Sequence, residues 1–257
     1  MSLDLLTGDS YAVMGQAGSG KSTLLNLISG KAKPVSGTVT INDSVVTPVA
    51  FGTGRKVTPL SIAQSHSPKG GAERVVRALT ALDLAEDRDT PVTRLSPVQR
   101  ASCEILPCLV KPSPVAVIDG YLDLFDPWTR SLLFDFIEAD KEAGRAFVVA
   151  TGNVEVAEAL NNLIILVKCE ALFAGTVREL IDRCRPSELV VDCEDATTVI
   201  NMVEPFSVSV NATPGRLEIT AHRGQELAAK LLTFGYGNIK SVVVKEPTLE
   251  EAILTVR

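Results

Sequence analysis

The run from Gly15 to Ser22 is a complete phosphate-binding motif, G-x-x-x-x-G-K-[ST]. Its glycines let the backbone curl so that successive N–H groups face a phosphate, and the helix that follows adds partial positive charge. Lys21 would reach the β- and γ-phosphates of a nucleotide, and the Ser22 hydroxyl would bind Mg²⁺. The predicted nucleotide-binding residues are Gly15, Gln16, Ala17, Gly18, Ser19, Gly20, Lys21, Ser22 and Thr23.

A second Mg²⁺ ligand is needed on the side opposite the loop, and Asp119 is the strongest candidate. It follows the continuous apolar run Val115–Ile118. Such a run is typical of a central parallel strand that is buried on both faces. The predicted metal ligands are therefore Ser22 and Asp119.

The elements that position these residues alternate along the first two-thirds of the chain. Residues 52–72 read as irregular. The other segments are predicted strands at 11–14, 38–41, 44–51, 115–119, 146–150 and 163–167, and predicted helices at 23–28, 72–85, 97–110, 127–139 and 154–160. This order predicts an α/β domain, residues 1–180, with a mainly parallel sheet and a helical insertion at about 57–110.

The remainder of the chain, residues 187–257, alternates apolar and polar residues as half-exposed strands do. Its predicted strands are 188–193, 206–210, 216–221 and 238–245, separated by helices at 195–203, 224–234 and 248–256. The order β-α-β-β-α-β-α predicts a small α+β ferredoxin-like domain with one extra helix.

Composition limits the classes of function. The chain has 257 residues, a net charge of −6 and no block of Lys or Arg, which argues against nucleic acid as a partner. Five cysteines form no C-x-x-C pair, and we expect buried free thiols in a reducing compartment. We expect no signal segment, because the N-terminus lacks a basic stretch followed by an apolar one. We also expect no membrane span, because the apolar runs are too short.

Two further motifs carry a resemblance to a known family. Leu95–Arg100 reads L-S-P-V-Q-R, and Asp119–Pro127 reads D-G-Y-L-D-L-F-D-P. Over residues 3–180 this arrangement resembles the ATP-binding cassette (ABC) transporter ATPases, which have a phosphate loop, a helical insertion, L-S-G-G-Q, a strand ending D-E and a loop ending L-D-P. The tail, including Glu246–Leu254, is similar to the small domain of several ABC exporter ATPases.

The resemblance implies a P-loop NTPase that binds ATP and Mg²⁺ on the cytoplasmic face of the cell membrane, under the transmembrane permease of an exporter. It also implies a dimer with a second cassette, identical or different, in which each phosphate loop faces the partner's signature. Ser96 and Gln99 occupy the signature positions, and Asp126 lies in the dimer loop.

The departures from the family pattern fall on catalysis. Gly120 replaces the glutamate that polarises water, and Gly152 replaces the histidine that contacts the γ-phosphate. Residues 52–56 lack the expected glutamine, and Gln64 lies late for that position. Pro97 and Val98 replace the two signature glycines. The adenine-stacking aromatic residue would lie upstream of the first residue.

These departures predict a degenerate cassette that binds ATP and hydrolyses it poorly at its own site. Two alternatives stay open: an active ATPase in which another residue or the partner supplies the missing groups, and an ABC protein outside transport, in DNA repair or translation. The last is disfavoured because the chain has neither a long coiled-coil insertion nor a second cassette. A small-molecule kinase is disfavoured by the spacing of the two motifs.

Overall fold

A computed structural model describes residues 3–41, 44–51, 57–235 and 238–256. Contacts divide the chain into two units, Met1–Thr176 and Val177–Arg257. Each unit has its own sheet and its own buried apolar cluster.

The first unit is built on a six-stranded sheet. Its strands are β1 (Ser10–Gly15), β2 (Val45–Val46), β3 (Val115–Asp119), β4 (Ala146–Ala150), β5 (Asn162–Val167) and β6 (Glu170–Thr176). They lie in the order β2-β3-β4-β1-β5-β6, and all pairs are parallel except β5 with β6. The carboxyl ends of β3, β4 and β1 therefore meet at one edge of the sheet.

Helices cover this sheet and form the predicted insertion between β2 and β3. They are α1 (Lys21–Ile28), α2 (Pro59–His66), α3 (Ala72–Ala81), α4 (Pro97–Val110), α5 (Pro127–Glu142) and α6 (Val154–Leu160). Val13 and Val148 are fully buried, and Leu24 and Leu25 of α1 pack against the same cluster. The predicted α/β fold with a helical insertion is confirmed.

The sequence predictions were wrong in two segments before the insertion. Residues 38–41 form no strand, and Val39 and Ile41 are 43% and 39% exposed because no neighbouring strand pairs with them. The predicted strand 44–51 is reduced to the two residues of β2. Inside the segment read as irregular, α2 begins at a capping box in which Thr58 and Ser61 each accept from the other's backbone N–H.

A buried ionic network fixes the C-terminal end of α4. The Asp140 carboxylate accepts hydrogen bonds from Arg74 Nη1 and Arg145 Nη1, both at 2.9 Å. Arg74 Nε donates to the Leu109 carbonyl at 2.6 Å, and Arg145 Nη2 donates to the Cys108 carbonyl. These carbonyls lie in the last turn of α4, where they lack helical donors and attract cations. The insertion is thus tied to α5 and to the start of β4.

The second unit is a four-stranded antiparallel sheet in the order β10-β7-β9-β8. Its elements are α7 (Val177–Asp182), β7 (Ser187–Cys193), α8 (Ala196–Val203), β8 (Ser207–Thr213), β9 (Arg216–Ala221), α9 (Gly224–Phe234), β10 (Ile239–Lys245) and α10 (Leu249–Thr255). One sheet face is buried under α8 and α9, as the period-two pattern requires. The β-α-β-β-α-β order is the ferredoxin-like one, and α7 was not predicted.

The cysteines are free but not all buried. Cys103, Cys108 and Cys193 are buried, whereas Cys169 is exposed and Cys184 is half-buried, so the prediction of buried thiols was wrong for the last two. Burial raises the pKa of the Cys103 and Cys108 thiols to about 12. Among the described residues, no helix combines the length and the apolar content of a membrane span.

Removing the charge of Asp140 tests the ionic network. In Asp140→Asn the buried Arg145 guanidinium and the half-buried Arg74 guanidinium lose their counter-charge. We expect the free energy of unfolding to fall by about 3 kcal/mol. The matched control Glu138→Gln removes an exposed pair with Lys141 and should cost less than about 1 kcal/mol. Urea unfolding followed by circular dichroism measures both. Equal losses would contradict the network's role.

Candidate functional site

The phosphate loop joins β1 to α1, and its glycines have the conformations that the motif requires. Gly18 and Gly20 have φ values of 77° and 97°, in the left-handed region that favours glycine. A Cβ at Gly15 would lie 2.2 Å from the Leu166 carbonyl oxygen of β5. Glycine is therefore needed at Gly15 for close packing and at the other two for backbone direction.

Lys21 folds back over its own loop. Its Nζ donates to the carbonyl oxygens of Gly15 at 2.7 Å and Gln16 at 2.9 Å, which leaves one of its three donors free. Ser22 and Thr23 are exposed in the first turn of α1, where backbone N–H groups lack helical partners. The loop thus presents an ammonium group, N–H donors and a hydroxyl group to one place.

Cys169 lies beside this loop, and sequence reasoning missed it. Its backbone N–H donates to the Ser19 carbonyl at 3.0 Å, and a Cβ on Gly20 would lie 3.2 Å from its Sγ. Lys168 and Cys169 have φ values of 49° and 67° in the turn between β5 and β6. No sequence motif marks this contact, because it depends on the register between β1 and β5.

Asp119 ends β3 at the same sheet edge. It is exposed and is paired with Ala150 of β4, and β4 in turn pairs with β1. Only β4 therefore separates Asp119 from the strand that carries the phosphate loop. Hydroxyl and carboxylate oxygens are ligands that Mg²⁺ prefers, so Ser22 and Asp119 have the chemistry that such an ion needs.

The loop after Asp119 has a backbone that no glutamate would readily adopt. Gly120 has a φ of 76°, while no atom lies within 4 Å of the position of a Cβ, so space is present but the conformation disfavours a side chain. Residues Tyr121–Leu124 form a 3₁₀ turn. Leu122 is fully buried, and the Tyr121 hydroxyl donates to Glu104 of α4. Burial, with this bond to Glu104, raises the pKa of Tyr121 to about 12.

Gly152 follows β4 and is tied to that same loop. Its N–H donates to Asp123 Oδ2 at 2.8 Å, and the Thr151 hydroxyl donates to Asp123 Oδ1. Sequence reasoning did not single out Asp123. The available signal was a carboxylate three residues after Gly120, between Asp119 and Asp126.

The two signature residues Ser96 and Gln99 cap the N-terminus of α4. Ser96 Oγ accepts from the Gln99 N–H at 3.2 Å, and Gln99 Oε1 accepts from the Ser96 N–H at 3.0 Å. Gln99 Nε2 also donates to Asp87 at 2.6 Å. Pro97 has no N–H to donate, and Val98 is 43% exposed beside it. The described structure does not place these residues against the phosphate loop of their own chain.

The other predicted positions are Asp126, Gln64 and residues 52–56. Asp126 caps α5 by accepting from the Thr129 N–H at 2.9 Å, and that bond is the main reason that its pKa is lowered. Gln64 is exposed on α2. The segment 52–56, where the family glutamine was sought, lies outside the described residues.

The strand, glycine loop and helix, with an acid ending a nearby parallel strand, define a P-loop nucleotide-binding domain. A family model described as ABC transporter matches residues 1–121. The thiamine import ATP-binding protein ThiQ of a Jannaschia species is 30% identical over 223 residues, which cover 79% of this chain and 90% of that protein. The chain therefore belongs to the ABC transporter ATP-binding proteins, as its motifs indicated.

Other relatives agree with this assignment. ThiQ of Vibrio cholerae is 29% identical over 185 residues, which cover 63% of this chain and 76% of that protein. An ATP-binding cassette solved as a dimer in a post-hydrolysis state, with ADP and phosphate bound, superimposes with a TM-score of 0.57 at 25% identity. That match covers 68% of this chain and 88% of the solved chain.

The Cys169 thiol gives a direct report on nucleotide binding. We expect Mg·ATP to slow maleimide labelling of Cys169 severalfold, because the thiol lies against the loop that would close around phosphate. Labelling of Cys184, in the second unit, should not change. A Cys169→Ser variant identifies which labelled peptide contains Cys169. Equal labelling of Cys169 with and without nucleotide would contradict binding at this loop.

Proposed function

We propose that this chain is a nucleotide-binding subunit of an ABC transporter, and that it binds Mg·ATP tightly but hydrolyses it slowly at its own site. The observation that carries the proposal is a contrast at one sheet edge. The phosphate loop and Asp119 retain their chemistry, whereas Gly120 and Gly152 stand where the family has a glutamate and a histidine.

The binding half of the proposal assigns roles to residues 15–23. Backbone N–H groups of the loop and of the first turn of α1 would surround the β-phosphate. Lys21 would direct its remaining donor at phosphate oxygens, because its two carbonyl bonds lie within its own loop. Ser22 and Asp119 would hold Mg²⁺ from opposite sides.

The catalytic half of the proposal follows from two side chains that are missing at this edge of the sheet, at Gly120 and Gly152. A general base and a γ-phosphate donor each contribute orders of magnitude in rate, and neither glycine has a side chain to supply one. Gly120 also has a left-handed backbone, so its departure from the family pattern affects the course of the loop as well as the side chain. Slow turnover is therefore the expected behaviour of this site.

We infer a second cassette and a transmembrane permease as partners, on the cytoplasmic face of the membrane. A similar cassette was solved as a dimer, and the relatives are named as ATP-binding proteins of import systems. Ser96, Gln99 and Asp126 would meet the partner's nucleotide in such a dimer. The import names of these relatives favour uptake over the export permease expected from the tail.

Affinity measurements test the binding half. In Lys21→Ala the loop loses its only side-chain cation, and we expect ATP affinity to fall by at least about tenfold, the loss of one charge-assisted contact. Lys69→Ala, an exposed lysine in a distant turn, is the matched control and should bind as the wild type does. Calorimetry with and without Mg²⁺ measures all three proteins. Equal affinities for Lys21→Ala and wild type would refute the assigned site.

Turnover of the chain alone tests the catalytic half. We expect a steady-state rate well below about 1 s⁻¹, the lower end of the common enzyme range. Gly120→Glu alone should not restore a normal rate, because the left-handed φ of 76° misdirects the new side chain. Gly120→Ala, which adds only a methyl group, measures separately how the left-handed backbone at this position affects the rate when any side chain is present. A wild-type rate of 1 s⁻¹ or more would overturn the proposal of impaired hydrolysis.

A further inference from the structure

Asp123 places a carboxylate in the loop where the family glutamate is missing. Gly120, with a left-handed φ of 76°, precedes the 3₁₀ turn Tyr121–Leu124, and that turn carries Asp123. The Asp123 side chain contacts Thr151 and Gly152 at the end of β4. The loop therefore directs this acid back toward the sheet edge.

Two donors orient the Asp123 carboxylate. The Gly152 N–H donates to Oδ2 at 2.8 Å, and the Thr151 hydroxyl donates to Oδ1. The Asn153 N–H donates to Thr151 Oγ1 at 2.9 Å, so the hydroxyl oxygen is occupied as an acceptor while its proton is directed at Asp123. A base whose direction is set by further groups is the arrangement found around activated nucleophiles.

The sheet order places this carboxylate near the nucleotide. Its anchors follow β4, which lies between β3 with Asp119 and β1 with the phosphate loop. Neighbouring strands are about 4.8 Å apart, so the anchors are one strand from each. Asp123 is exposed, and two of its roughly four acceptor sites are used, which leaves sites for water. Buried Leu122 and the Tyr121–Glu104 bond hold the loop in this position.

We propose that Asp123 is the general base for the slow ATP hydrolysis of this chain's own site. A water molecule held by the carboxylate attacks the γ-phosphorus. The water oxygen forms a bond to phosphorus, the bond from phosphorus to the bridging oxygen of ADP breaks, and the water proton passes to Asp123. This role rests on the proposed function, since it requires ATP in the phosphate loop. It gives the site an acid at a different position from the family glutamate, in keeping with slow turnover.

Single-turnover hydrolysis with the chain in excess over radiolabelled Mg·ATP tests this assignment. Asp123→Asn keeps an acceptor oxygen for the Gly152 N–H, and the Thr151 hydroxyl oxygen can accept from its amide, but that amide cannot take a proton. We expect its rate to fall by about 100-fold with ATP affinity unchanged. Asp123→Glu should keep a rate between those of wild type and Asp123→Asn. Asp135→Asn, an exposed acid on α5, should hydrolyse ATP at the wild-type rate.

The other outcomes separate the inference from the proposed function. A rate for Asp123→Asn equal to that of wild type would overturn the inference, as would a wild-type rate too slow to detect. If Asp123→Asn loses ATP affinity together with its rate, Asp123 holds the loop and is not the base. Absence of ATP binding by the wild-type chain would instead remove the proposed function, and the inference with it.

Discussion

The pairing of β4 between β3 and β1 is the constraint on which the site depends. Val117 of β3 pairs with Val148 of β4, and Ala150 of β4 pairs with both Asp119 and Val13. These strands are buried on both faces, so their register cannot shift without exposing apolar side chains. Every group with a proposed role in the nucleotide site of this chain starts from one of these three strand ends.

This constraint separates the groups proposed to bind the nucleotide from the groups proposed to act in its hydrolysis. The shape of the phosphate loop depends on Gly15, Gly18 and Gly20. These glycines lie between β1 and α1, and Gly15 packs closely against β5. The acid that would activate water depends on the loop after β3 and on the turn after β4. Changes at Gly120 and Gly152 therefore alter the second set of groups while the first keeps its geometry. The Asp123 bonds to Thr151 and Gly152 now join the two altered segments.

Much of this architecture could be predicted from the sequence, because its signals are local. The phosphate motif gave the strand, loop and helix at residues 10–28, and the apolar run before Asp119 gave a central strand. Residues 38–41 had the right alternation but no partner strand, and alternation alone cannot supply one. Thr58 and Ser61 begin a helix through a capping box that a closer inspection of the segment would have detected.

Contacts between distant segments were beyond the sequence argument. Cys169 reaches the phosphate loop because β5 lies beside β1, and Asp123 reaches β4 because a 3₁₀ turn follows a left-handed glycine. Arg74 and Arg145 meet at Asp140 from an insertion helix and a loop that are far apart in the chain. Each of these contacts needs the strand order or a turn geometry that residue types do not specify.

The chemical state of the nucleotide that the chain retains tests the central claim most directly. The wild-type chain is mixed with Mg·ATP for about ten seconds, roughly ten turnovers at a rate of 1 s⁻¹. It is then captured on a nitrocellulose filter, and the bound nucleotide is released with acid and separated by chromatography. An enzyme with a rate of about 1 s⁻¹ would convert its bound ATP within seconds. Our account predicts that the retained nucleotide is largely intact ATP. Recovery of ADP alone, or of no nucleotide, would contradict it.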